Sequence, residues 1–269
     1  VLGDRDRPFG PDAPDQPVDV TTPFPIDGTN LAGAPDTYKG LSLALTNNGA
    51  PTVTAVRGVI GVVCIGMSNS NQECGDYIGK LRTELAGQFN AEVRVANCAV
   101  GGHAIERWND PADDATLWDA CLNQKIGLAG ITADQIRVVY HKAADQFTTS
   151  GGAEKPLYPD PASDYFAFVD NLTIFSGRLA QKMPAVQAVY TTSRSYGGFA
   201  TTPGRGEPLS YEEGHALNQW LAANPMVGTV WYGWGPYIWA PDCAVGTNGS
   251  GTCYVRDDYV ADGQLFFDI

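Results

Sequence analysis

A chain of 269 residues with 43% hydrophobic content carries enough apolar side chain for one sizeable core, which excludes a disordered chain. Its 17 basic against 30 acidic residues give a formal net charge of −13, which argues against nucleic acid and anionic membrane surfaces as partners. No apolar run approaches the ~20 residues that a membrane-spanning helix needs, so no membrane insertion is expected.

The first 50 residues read as a separate region. Eight of the 18 prolines fall in the first 51 positions, among many Asp and Gly, and periodicity is poor before "GLSLALT". This composition predicts an extended arm that wraps the domain or leads in from a neighbouring one, with a disordered tail as the alternative. The opening "VLGDRDRPFG" lacks an initiator Met and any signal sequence, as a processed, mature N-terminus would. Residues 51–269 are expected to form the folded domain.

From residue 58 strands and helices alternate. "VIGVVCIG" is continuously apolar and β-branched, the pattern of a buried parallel strand, and a helix follows over residues 71–89. "EVRVANC" is a strand, "TLWDACLNQKIGLAG" a helix ending at glycine, and "QIRVVYHK" a strand. A long helix begins at Pro161 and the Ser163 cap region, and "AVQAVYTTS" is the next strand. "SYEEGHALNQWLAAN" reads as a helix with Ser210 as N-cap and Glu213 closing a capping box, and "MVGTVWYGWG" as the fifth strand. This βα repeat predicts an α/β domain, a five-stranded parallel sheet with helices on both faces. Ligands of such sheets bind at the carboxyl ends of the strands. Those ends are rich in glycine and polar residues: 66–70, 97–103, 141–146, 192–198 and 233–237.

None of the six cysteines forms a CxxC and there are only three histidines, so neither a metal site nor a cofactor is expected. Cys243 and Cys253 flank a Gly/Ser/Thr/Asn loop and are expected to pair, while Cys64 in the first strand could equally be a free buried thiol. This usage favours an oxidising compartment, secreted or extracellular, with the periplasm also open.

The strand ends suggest acyl chemistry. A serine at a strand-to-helix turn can attack an acyl carbon if a base takes its proton and donors hold the oxyanion. Ser68 lies at such a turn, with its N–H at a helix N-terminus; its plain alternative is an N-cap. Gly101-Gly102 would let a second N–H approach without a Cβ in the way, or would simply be a tight turn.

The segments "IGMSNSNQE", "NCAVGGHAIERW" and "DYVADG" resemble the first, second and last sequence blocks of the SGNH (GDSL-like) hydrolases. The "GMSN" form is nearer to the "GQSN" of that superfamily's carbohydrate acetylesterases than to "GDS". The resemblance spans roughly residues 58–265. It implies a flavodoxin-like three-layer α/β/α fold and ester hydrolysis, with an acylated carbohydrate or other small ester as substrate. It also implies Ser68 as nucleophile, the N–H groups of Ser68 and Gly102 as oxyanion donors, and Asp262 as the triad acid. Asn69 falls in the first block beside the nucleophile and is taken as substrate-binding. The family's third donor, an Asn after strand three, is replaced by Asp145, and an ionised carboxylate cannot donate; Gln146 next door could supply an amide. The larger departure is the base, since Leu265 stands at the histidine position of D-x-x-H. His103 or His141 could substitute, the chain could be a non-catalytic binding or structural protein on the same fold, or the natural protein could continue differently. His215 reads as packing. Arg194 could bind substrate or form a structural ion pair, and the aromatics Trp231, Trp234, Tyr237 and Trp239 could stack on sugars or fill the core. Glu212-Glu213 fits the capping box better than glycosidase chemistry. The sequons at Asn171 and Asn248 add nothing without a eukaryotic source.

Overall fold

The computed structural model describes residues 49–83, 89–142, 144–150, 153–202, 204–235, 239–240, 242–244 and 253–259. The arm expected over residues 1–50 lies outside them except for its last two positions.

In chain order the strands are β1 (Ile60–Gly66), β2 (Val93–Asn97), β3 (Ile136–Lys142), the two-residue β4 (Thr149–Ser150) and β5 (Ala153–Glu154), β6 (Ala188–Thr192), the two-residue β7 (Met226–Val227), and β8 (Val230–Trp234). The main helices are α1 (Ser68–Thr83), α5 (Asp164–Lys182) and α6 (Leu209–Ala223). The short α2 (Ile105–Asn109) follows β2; α3 (Trp118–Ala120) runs through a π-helical turn, Cys121–Lys125, into α4 (Ile126–Leu128). That helical run stops at Gly130, whose φ of +72° is the left-handed turn that glycine supplies.

The sheet order is β2-β1-β3-β6-β8-β7, with every pair parallel except β7–β8. The five expected parallel strands are all present, in the flavodoxin-like order of a three-layer α/β/α domain. The chain leaves β1 towards β2 and returns on the other side to β3, so the crevice at the sheet's carboxyl edge opens between β1 and β3. Alternation along β3 identifies the two faces. Tyr140 and Lys142 reach Glu73 of α1, whereas His141 between them stacks on Phe175 of α5 with ring centroids 3.8 Å apart. The core on the α5 side joins Val63, Ile65 and Val139 to Phe168, Phe175 and Leu179.

Three local expectations change. The expected fifth strand is a hairpin: β7 folds back antiparallel on β8, pairing Val227 with Val230, and Gly228 takes the positive φ (+60°) that a two-residue turn requires. Ser210 is not an N-cap. α6 begins at Leu209 after Pro208, without a side-chain cap, and Glu213 points inward to another loop. Cys64 is not a free thiol but is bonded to Cys74; Cys98 pairs with Cys121, and Cys243 with Cys253 as expected. Three disulfides fit an oxidising environment. No helix among the described residues is long and apolar enough to cross a membrane.

Candidate active site

β1 ends at Gly66 with φ +146°, where an added Cβ would lie 2.8 Å from both the Lys142 carbonyl and Ser70 Cβ. Only glycine lets the chain turn this sharply from strand into α1. Ser68 is thereby the first residue of α1, half-buried at its N-terminus. Among the described residues its N–H donates to no other group, as expected where four helical donors lack intrahelical partners. Ser70 Oγ donates to the Ile65 carbonyl (3.2 Å) and fixes the turn from below.

The β2–α2 loop is pinned beside this turn. The Val100 N–H donates to the Gly66 carbonyl (3.0 Å), and a Cβ built on Gly101 would lie 3.8 Å from Ser68 Cβ. The loop is braced from behind by side chains on two elements, the π-helical turn and α1. Cys121 bonds Cys98, Lys125 Nζ donates to the Cys98 carbonyl (3.2 Å), and Asn71 Nδ2 donates to the Ala99 carbonyl (2.8 Å). Burial lowers the Lys125 ammonium pKa, and the Cys98 and Ala99 carbonyls partly replace its lost water. Gly102 is exposed with φ +73°, and among the described residues its N–H has no acceptor.

The segment after β3 closes the third side. The Ala144 carbonyl accepts from the Ile105 N–H (2.9 Å), and the Gln146 N–H donates to Glu106 Oε1 (3.0 Å). Asp145 is 2% exposed. Its N–H donates to Glu213 Oε1 (2.7 Å), and its Oδ1 accepts from Asn171 Nδ2 (2.7 Å). Burial, then the charge of Glu106, pushes its carboxyl pKa up to about 7, against the pull of Lys155 and Asn171. Asp145 is thus a buried link between α5 and α6, while the half-exposed Gln146 carboxamide has no partner among the described residues.

The other expected residues separate clearly. Asn69 is buried and its Oδ1 accepts from the Ser70 N–H (2.9 Å), so its carboxamide serves α1. Arg194 is 2% exposed and donates from Nη1 to the Asp145 carbonyl (3.0 Å), with Glu213 Oε2 4.0 Å from its Nε; it is a structural ion pair behind the crevice. Trp231, Trp234 and Trp239 are core residues, Trp239 donating to Glu207 Oε1 at 3.0 Å; Tyr237 lies outside the described residues. Asn171, half-buried between Asn109 and Asp145, is committed to the interior. Asp262, Leu265 and Asn248 also lie outside the described residues.

The three histidines of the sequence are all described and differ sharply. His141 lies under the sheet against Phe175, and burial lowers its pKa to about 3. His215 lies inside α6 against Tyr211, with burial again lowering its pKa to about 3. Only His103 lies on the crevice loop. It is half-exposed and its Nδ1 is 2.8 Å from the Gly101 carbonyl.

Sequence reasoning missed the supporting groups. Asn71, Lys125 and the Cys98–Cys121 bond carry no motif, and a π-helical turn has no reliable sequence signature. Asn71 three residues after Ser68 is the one signal that spacing offered.

The chain matches no protein-family model. No curated protein matches it in sequence. Among solved structures it is similar to a "putative GDSL-like lipase from Parabacteroides merdae", with 11% identity and a TM-score of 0.40 over 64% of this chain and 77% of that one.

Proposed function

We propose that the protein is an SGNH-type serine ester hydrolase of an oxidising, extracellular compartment, with Ser68 as nucleophile. The observation that carries this reading is the convergence of Ser68 with unused donors. Ser68 is half-buried at the N-terminus of α1, its own N–H and that of Gly102 are free among the described residues, and a Cβ built on the intervening Gly101 would lie 3.8 Å from Ser68 Cβ. Two backbone N–H groups and a helix N-terminus suit the negative oxygen that develops as an ester carbonyl is attacked. The Gln146 carboxamide replaces Asp145 as third donor, because Asp145 is engaged by Asn171. An acylated carbohydrate as substrate is supported by the resemblance of the "GMSN" segment alone. The three disulfides support the compartment.

The test is the intact mass of the full chain after exposure to a fluorophosphonate, with Ser68→Ala as control. One adduct, absent from the control, is expected. A second reading, a non-catalytic binding protein on the same fold, is favoured by Leu265 at the histidine position. An unlabelled wild-type protein would establish it over the first.

A further inference from the structure

We propose that His103 is the general base of this site, held in one tautomer by the Gly101 carbonyl. This rests on the reading of Ser68 as nucleophile and supplies what that reading lacks. A carbonyl oxygen can only accept, so the Nδ1···O contact of 2.8 Å requires the proton on Nδ1. Nε2 then carries the lone pair, and among the described residues no donor occupies it. The arrangement has the logic of a catalytic histidine: one ring nitrogen is fixed by an acceptor so that the other can take a proton. Here the acceptor is a main-chain carbonyl of the loop that carries the oxyanion donor. Orientation of base and donor are therefore coupled through two residues, Gly101 and Gly102.

Elimination leads to the same residue. The sequence has three histidines. His141 and His215 are 1% and 0% exposed and pack on Phe175 and Tyr211, so neither can exchange a proton with a group in the crevice. The buried amine of Lys142 is held by Glu73, which also accepts from Tyr140, and the half-buried amine of Lys125 by the Cys98 carbonyl. In the reaction, His103 Nε2 takes the Ser68 hydroxyl proton as Oγ bonds to the ester carbonyl carbon. The imidazolium returns that proton to the departing alkoxide as the C–O bond breaks. Water, deprotonated by the same nitrogen, then attacks the acyl-enzyme and releases the acid, and the proton returns to Ser68 Oγ.

The decisive variant is His103→Asn. Its Nδ2 can reproduce the Nδ1–H bond to Gly101 but cannot act as a base, so a purely structural role would survive it. Wild type, His103→Asn, His103→Ala and Ser68→Ala are compared for fluorophosphonate labelling rate across pH, with thermal melts as a folding control. Expected are Ser68-dependent labelling in wild type and a rate at least ~100-fold lower in His103→Asn at unchanged melting temperature. The pH-dependent limb should also be lost, and added imidazole should recover rate in His103→Ala. Labelling of His103→Asn at the wild-type rate overturns the assignment of the base and leaves Ser68 standing. A wild type that never labels overturns both. Ring-nitrogen NMR gives a reading independent of activity, and a proton on Nε2 rather than Nδ1 would overturn the geometry.

Discussion

Asp145 shows how one buried carboxyl sets a pH dependence. Its pKa stands at about 7, above the ordinary aspartate value of about 3.9, because burial and then Glu106 disfavour the charge. The folded state therefore keeps a proton that the unfolded chain gives up earlier. The protonated link is favourable at low pH, and stability is lost as pH rises from about 4 through about 7. Asp145→Asn preserves the partnership with Asn171 and cannot ionise. Urea midpoints at pH 5 and pH 8 should differ less in Asp145→Asn than in wild type, and the variant should be the more stable of the two at pH 8. Some slope should remain, because burial also raises the Glu213 carboxyl. Equal differences in both proteins would show that Asp145 is ionised in the fold. At this scale the sequence was half legible. It brought His103 and His141 to the crevice alike, yet alternation along β3 turns His141 to the α5 face, and no local pattern reports which face that is.

Strands and helices were read more easily than their ends. β1 is a continuous apolar run of the kind a sheet buried on both faces uses, and β3 and β6 carry β-branched and aromatic residues at their centres. β7 has only two residues, and its pairing with β8 is decided by the turn at Gly228. α6 misled for a physical reason. Ser210 and Glu213 have capping-box spacing, but the Asp145 N–H competes for the Glu213 carboxylate and prevails. The neighbouring Glu212 acts similarly, accepting from the Tyr158 N–H at 2.7 Å and the Tyr165 N–H at 3.3 Å. Buried carboxylates of α6 thus tie down the segments at Asp145 and Tyr158, which have no ladder of their own, and the first turn of α5. Glu212→Ala would strand those two donors, a loss of about 3 kcal/mol in urea unfolding, while Glu212→Gln, which keeps an acceptor oxygen, should lose clearly less. Similar values for both variants would mean that the negative charge, not the acceptor, is what the loops need.

For the molecule as a whole, sheet order and disulfides act together. Cys64–Cys74 joins the middle of β1 to the second turn of α1 and encloses the Ser68 turn in a ten-residue separation. Cys98–Cys121 anchors the opposite wall of the crevice. Removing the first bond with Cys64→Ala/Cys74→Ala should lower unfolding free energy by about 3 kcal/mol on loop-closure grounds. Fluorophosphonate labelling should slow by more than global unfolding accounts for, since the bond spans the nucleophile. A variant that loses stability but labels at the wild-type rate would restrict the bond to a purely global role. The fold itself was legible at this scale because a βα repeat leaves few topologies. The pairing of six cysteines was not, because it depends on which elements the sheet order brings together.

The backbone bonds from Val100 to Gly66 and from Ile105 to Ala144 have a practical consequence for altering selectivity in the laboratory. They splice three connections into one rigid frame, so changing the length of residues 97–106 would misplace nucleophile and donors together, whatever sequence was inserted. The short β4–β5 ladder follows Gln146 and takes no part in those two bonds, and the Arg205 guanidinium lies 4.7 Å above the neighbouring Phe147 ring. Variation introduced around Phe147, Thr148 and Arg205 could therefore reshape what enters the crevice while leaving its chemistry in register.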